Sequence, residues 1–261
     1  MSIAQLDAEP RKQLLHEASP AEWGLRQTMA AAFRLGYHFN WNRVLSNHIS
    51  ARHPDRPDWF IMNPYGLGWD EISASTLVTV DLTGKVLSHE GVELAPAGFN
   101  FHSGILRERP DLNSTIHVHP VAGVVIASTM EGLVISDQTS LHIYGQVGYH
   151  DFEGFAQEDE EVPRILRDLG EGKLLIMRNH GLLSVGESVP EAFMLMRRLI
   201  AACEIQERLM ATGAEIRRIP QEVLDFTAAQ LATKKKKRNY AGVEWAYHLR
   251  MLDRIDPGYK D

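Results

Sequence analysis

Two histidines one residue apart, His117 and His119, close an apolar run that reads Ser114-Thr115-Ile116-His117-Val118-His119-Pro120. Side chains alternate across a β-strand, so an H-x-H pair puts both imidazoles on one face and Val118 on the other. A third histidine stands in Arg178-Asn179-His180-Gly181, again after an apolar run. Brought beside the pair, it completes a three-histidine set with one position open. Proteins hold catalytic metals in such sets, because the open position takes water or substrate. Three unrelated histidines, buried and satisfied by hydrogen bonds, would leave the same trace.

The 261 residues suit one large α/β domain or a domain with a substantial tail. Hydrophobic residues at 44% and charged residues at 23% are enough for a sizeable core. A net charge of −7 argues against a general nucleic-acid binder, which needs a basic surface. The run Lys234-Lys235-Lys236-Lys237-Arg238 has no basic neighbours and reads as a solvated connector. Cys203 is the only cysteine, so an intramolecular disulfide is impossible, and its helical surroundings suggest a structural thiol. Residues Met1 to Pro20 lack the apolar core of a signal peptide, and no run approaches the length of a membrane helix. A cytoplasmic protein with no membrane partner is expected.

Ser19-Pro20-Ala21-Glu22 is a capping box opening a helix that should stop at Gly36. Strands are expected at Leu45 to Ala51, Trp59 to Asn63 and Leu77 to Leu82, with a hairpin turn at Asp81-Leu82-Thr83-Gly84-Lys85. A second helix should cover Phe99 to Arg109 and a small buried one Val121 to Thr129, after the strand Thr115 to His119. Leu133 to Ser136, Gln146 to Tyr149, Leu174 to Met177 and Leu182 to Val185 read as further strands. Ser188-Val189-Pro190-Glu191 caps a long helix through Phe193, Met196, Ile200, Cys203 and Leu209. Short turns between strands favour a largely antiparallel sheet covered by helices on both faces.

Residues 20 to 210 resemble the class II aldolase/adducin family, in its bacterial adducin-like branch. The residues that carry the resemblance are Phe101-His102, Arg109-Pro110-Asp111, Ile116-His117-Val118-His119 and Asn179-His180-Gly181-Leu182. Asn47-His48-Ile49-Ser50 and Asn63-Pro64-Tyr65-Gly66 stand where that family has its substrate loops. The resemblance implies a three-layer α/β/α sandwich with a central, mainly antiparallel sheet, assembled as a dimer or tetramer. It also implies that His117, His119 and His180 hold one divalent ion, zinc first, with iron, manganese or cobalt as alternatives. A domain over residues 20–213 and a helical tail over 214–261, packed on the body or on a neighbouring subunit, are expected.

The departures are more informative. Four residues before the Phe-His histidine, family aldolases carry a glutamate and epimerases an aspartate; this chain has Gly98, which accepts no proton. Pro96 and Ala97 replace two phosphate-binding serines, and the catalytic tyrosine falls on Gln138. The resemblance therefore implies a metal-dependent lyase, by aldolase or decarboxylase chemistry, on a small unphosphorylated hydroxy, keto or carboxylated compound. A non-catalytic adducin-like assembly module and an iron-dependent oxygenase are the alternatives.

His150, in Tyr149-His150-Asp151, is a candidate proton carrier oriented by Asp151 or Glu153, against a surface-loop role. His102 is the other candidate, as proton carrier or extra ligand, against a packing role. Asn47, Asn63, Tyr65, Gly66 and Gln138 are the candidate substrate contacts. His142 and Tyr144 alternate on one face of an expected strand, as pocket lining or core. Asn179 is placed to orient His180, and Gly181 to permit a tight turn.

Overall fold

Ser19 Oγ accepts a hydrogen bond from the Glu22 amide and Pro20 stands at the first helical position, so α1 starts where the capping box places it. The computed structural model describes residues 17–92, 94, 96–154, 161–237 and 240–261. Helix α1 (Pro20–His38) runs two residues past Gly36, its expected stop. Gly36 is a packing glycine instead: a Cβ there would lie 2.3 Å from the Trp69 ring.

Three strands follow, β1 (His48–Arg52), β2 (Trp59–Met62) and β3 (Val78–Asp81). The turn after β3 leads to a single bridge between Val80 and Val86 rather than a full hairpin. Then come α2 (Pro96–Glu108), β4 (Ser114–Val118), α3 (Val121–Ala127), α4 (Gln138–Leu141) and β5 (Val147–His150). The chain continues through α5 (Val162–Leu169), β6 (Leu174–Met177), β7 (Gly181–Gly186) and α6 (Val189–Ala211). It closes with α7 (Gln221–Lys237), α8 (Tyr240–Ile255) and a short 3-10 turn at Pro257–Lys260.

The seven strands form one sheet in the order β3-β2-β1-β4-β7-β6-β5. It is a mixed sheet, not the mainly antiparallel one expected, because β5 runs parallel to β6. The cause is α5, a helix absent from the sequence expectations. A helix between neighbouring strands carries the chain back to its starting edge, which makes the pair parallel.

Alternation along the strands divides the apolar side chains between two clusters. Ile49, Ile116, Val118, Leu174, Ile176 and Leu182 join residues of α1, α3 and α6. Phe60, Met62, Leu175, Met177, Leu183 and Val185 join Phe101 and Ile105 of α2 and Ile165 and Leu169 of α5. Trp245 and Leu252 of α8, with Tyr259, belong to the first cluster, and the Ala74 amide donates to the Tyr259 carbonyl at 3.0 Å. The C-terminal segment is thus tied to the body.

Two expected strands are absent from the described residues. At Leu133 to Ser136 the amides of Leu133 and Val134 donate to side chains, Tyr149 Oη and Gln206 Oε1, instead of a neighbouring strand. His142 and Tyr144 lie in turns after α4; His142 is exposed, and Tyr144 bonds Gln221 and Asp225 of α7. The lysine run is helical through Lys237, not a connector, and Arg238 lies outside the described residues.

Candidate metal centre

Strand β4 carries His117, His119 follows directly after its last residue, and β7 begins beside them immediately after His180. The three histidines bring one ring nitrogen each within 4.8 Å of the others. Gly181 makes this approach possible: a Cβ there would lie 2.8 Å from both the His119 ring and the Val118 carbonyl. In the turn that precedes Gly181, Asn179 adopts the left-handed conformation, at φ 56°. Asn179 is exposed and, among the described residues, its side chain makes no hydrogen bond to His180.

The partners of the rings fix which nitrogens are bare. His117 Nδ1 lies 3.0 Å from the Leu182 carbonyl oxygen, which can only accept, so Nδ1 carries the proton and Nε2 a lone pair. His119 Nδ1 lies 2.9 Å from Asn47 Oδ1, which also accepts from the His119 amide at 3.0 Å. The Asn47 side-chain amide donates to the Val44 carbonyl, holding Oδ1 towards His119. His117 Nε2 and His180 Nε2 are 3.3 Å apart. Two nitrogens bound at ~2.0–2.1 Å to one tetrahedral ion stand about that far from each other.

Burial is the main reason all three rings stay neutral, the form that ligates. It pushes His117 well below the ordinary histidine range, with the neighbouring histidines adding to the shift. His119 is lowered to about 4, first by burial and then by His180 and His48. His180 is lowered by burial too, against an upward pull from Glu161.

Two further histidines lie close by. His48 faces His117 across the β1–β4 ladder, and burial lowers it to about 4. His102, on α2, stacks edge-on to His48 with ring centres 5.9 Å apart. Its Nδ1 is 2.8 Å from Ser50 Oγ. His48 was no candidate on sequence grounds, although it follows Asn47 directly. At position 98, a Cβ would lie 2.6 Å from the His48 ring, so the imidazole stands directly against this glycine.

His150 is buried between two carboxylates. Its Nδ1 is 2.7 Å from Asp168 Oδ2 and its Nε2 3.1 Å from Glu161 Oε1. This corrects the expected partners: Asp151 pairs with Arg178 at 3.4 Å, and Glu153 with Arg164. Asp168 belongs to α5 and Glu161 directly precedes it. The signal for that helix, Val162, Ile165, Leu166 and Leu169 at helical spacing, was present in the sequence.

Of the expected substrate contacts, Asn47 is engaged with His119, as described. Asn63 is buried, donates to the Asn47 carbonyl at 3.4 Å and leaves its Oδ1 without a partner. Tyr65 is exposed beside Gly66, whose φ of 98° makes the turn. Gln138 is exposed at the head of α4 and, among the described residues, shares no hydrogen bond with the histidines.

A family model described as "Class II Aldolase and Adducin N-terminal domain" matches residues 27–207. The chain belongs to this family. An aldolase class 2 protein of Pseudomonas aeruginosa, so named provisionally, is 37% identical over 246 residues, 94% of this chain and 95% of that one. Rat alpha-adducin is 40% identical over 192 residues, which are 72% of this chain and 26% of the adducin. The crystal structure of an aldolase II superfamily protein from Pseudomonas syringae superposes with a TM-score of 0.88 at 35% identity, covering 94% of this chain and 98% of that one. This family membership supports lyase activity of the aldolase type in general terms. In the described residues of this class II aldolase relative, no helix is long and apolar enough to cross a membrane.

Proposed function

We propose that the chain is a metal-dependent lyase, of aldolase or decarboxylase type, acting on a small hydroxy, keto or carboxylated compound without a phosphate. The observation that carries this reading is the convergence of His117, His119 and His180, with the N–H groups of His117 and His119 committed to other acceptors. The donor set fits one divalent ion, zinc first, because neutral imidazole suits zinc, iron and cobalt. Bound there, such an ion supplies Lewis-acid polarisation of a substrate oxygen.

The chain's own residues supply orientation and proton handling. The Leu182 carbonyl and Asn47 hold the rings of His117 and His119 in place. His102, its Nδ1 held by Ser50 Oγ, is a proposed proton carrier through Nε2. His150, held between Asp168 and Glu161, is the other proposed proton carrier, and Glu161 acts on His180 as well. Asn63, Tyr65, Gly66 and Gln138 are the proposed substrate contacts, and the free Oδ1 of buried Asn63 gives it the strongest support among them. Burial is the first cause of the shift at all five clustered rings, and the neighbouring charges that also act at four of them, among the described residues, are histidines and, at His180, Glu161. With no lysine or arginine among them, a phosphate would find no guanidinium or ammonium donor beside the ion. A homo-oligomer, the three-layer architecture and the division at residue 213 complete this reading.

The likeness to rat alpha-adducin favours a second reading, a non-catalytic assembly module. Screening the metal-loaded protein against unphosphorylated 2-hydroxy acids, 2-keto acids and hydroxyaldehydes separates the two. The lyase reading expects turnover that His117→Ala abolishes, and no cleavage of fuculose or rhamnulose phosphate. Robust cleavage of either phosphate, or no turnover of any compound by metal-loaded protein, contradicts it.

A further inference from the structure

Three buried polar atoms in one patch have no hydrogen-bond partner among the described residues: His48 Nδ1, His102 Nε2 and Thr115 Oγ1. The β1–β4 register explains why they share that patch. His48 pairs with His117 and Ser50 with Thr115, and paired residues in an antiparallel ladder point to the same face. Residues two apart on one strand also share a face, so all four belong together. Helix α2 covers this face with Gly98, Phe101 and His102, which recur at helical spacing. Phe101 stacks edge-on to His117, with ring centres 5.2 Å apart, and Gly98 leaves room for the His48 ring. The patch therefore adjoins the three-histidine set along the strand that carries it.

A buried polar atom without a partner loses its hydration and gains nothing in return, so three in one patch point to a ligand that satisfies them. We propose that His48, His102 and Thr115 form a second, charge-free half of the site. It hydrogen-bonds the carboxylate of a small 2-hydroxy or 2-keto acid whose neighbouring oxygen faces the His117, His119 and His180 set. This assignment rests on the metal-dependent reading above and adds the substrate class to it. Two imidazoles and a hydroxyl supply N–H and O–H donors for carboxylate oxygens. A single negative charge buried there is balanced by a divalent ion next door. A phosphate brings more oxygens and a second charge, and among the described residues the patch offers it no guanidinium or ammonium donor. Gly98 acquires a positive role: it is the residue that lets His48 stand where the family's aldolases place a carboxylate.

The test uses the full chain loaded with manganese(II), pyruvate as probe, and paramagnetic relaxation of the pyruvate methyl protons as readout. Bound manganese is measured separately on the same samples. His48→Leu removes one donor, His48→Gln restores a hydrogen-bonding group, and Gly98→Ala keeps every polar group while pushing a methyl into the His48 ring. Gly98→Ala also forces the buried His48 ring to move, so far-UV circular dichroism first checks that each variant is folded. The expected result is unchanged manganese content throughout. The pyruvate Kd rises about tenfold or more in His48→Leu and Gly98→Ala, with partial recovery in His48→Gln, and inorganic phosphate fails to displace pyruvate. Unchanged pyruvate affinity in folded Gly98→Ala and His48→Leu overturns the subsite, as does phosphate competing on equal terms. Wild-type protein that binds manganese but not pyruvate overturns the substrate class alone. Loss of manganese in the His48 variants makes His48 a ligand and contradicts the assignment. Wild-type protein that takes up no manganese removes the metal-dependent reading and the subsite with it.

Discussion

The residue with the widest consequences is Asn47. Its Oδ1 accepts from both the amide and the ring of His119, so it sets which His119 nitrogen is bare. Asn47→Ala should lower metal affinity about 10–100-fold with little change in fold, as removal of such orienting groups generally does; competition titration with a metal-binding dye measures it. His48 makes a different prediction. Burial holds its pKa at about 4, while in the unfolded chain it returns to about 6.5. The unfolded state therefore takes up a proton as pH falls through 6.5 and the folded state does not. Stability is fully present above that pH and is lost on the way down to about 4. In urea titrations of metal-free protein, the loss between pH 7 and pH 5 should shrink by about 2 kcal/mol in His48→Gln. An undiminished loss would mean that His48 is not buried as described. The Cys203 thiol, pushed up to about 12 mainly by burial, should stay unreactive to thiol reagents at pH 8 until the protein unfolds.

At the scale of elements, legibility followed the locality of the signal. The strand that bears His117 and leads into His119 was readable because alternation over a few residues decides which side chains share a face. Capping boxes at Ser19 and Ser188 placed the starts of α1 and α6 for the same reason. His48 was not readable, because its place beside His117 depends on a ladder between segments about seventy residues apart. Asp168 and Glu161 were missed with α5, and the parallel β5–β6 ladder was missed with them. Leu133 to Ser136 failed in the opposite sense: the apolar run is real, but its amides are satisfied by Tyr149 and Gln206, a choice invisible locally. Helix α1 offers a controlled comparison of two glycines. Gly36→Ala should cost about 1–3 kcal/mol, since its methyl would strike Trp69. Gly24→Ala meets nothing within 4 Å and should stabilise by up to ~1 kcal/mol. Thermal unfolding of the two variants should move in opposite directions.

At the scale of the molecule, the chain keeps the fold of its family. The C-terminal helix α8 contributes Trp245 and Leu252 to the main apolar cluster and exposes Val243, Tyr247 and Ile255 on its other side. Ending the chain at Gly242 should lower the melting temperature, because two large buried side chains and Tyr259 leave the core. Unchanged melting temperature and subunit number would show that this packing contributes nothing. The central claim, that His117, His119 and His180 hold one divalent ion, is tested most directly by elemental mass spectrometry. The protein should be purified without added metal or an affinity tag. About one zinc, iron, manganese or cobalt per chain is expected, lost in His117→Ala, His119→Ala and His180→Ala and kept in His38→Ala. Equal metal content in all four variants, or none in the wild type even after reconstitution, would contradict it.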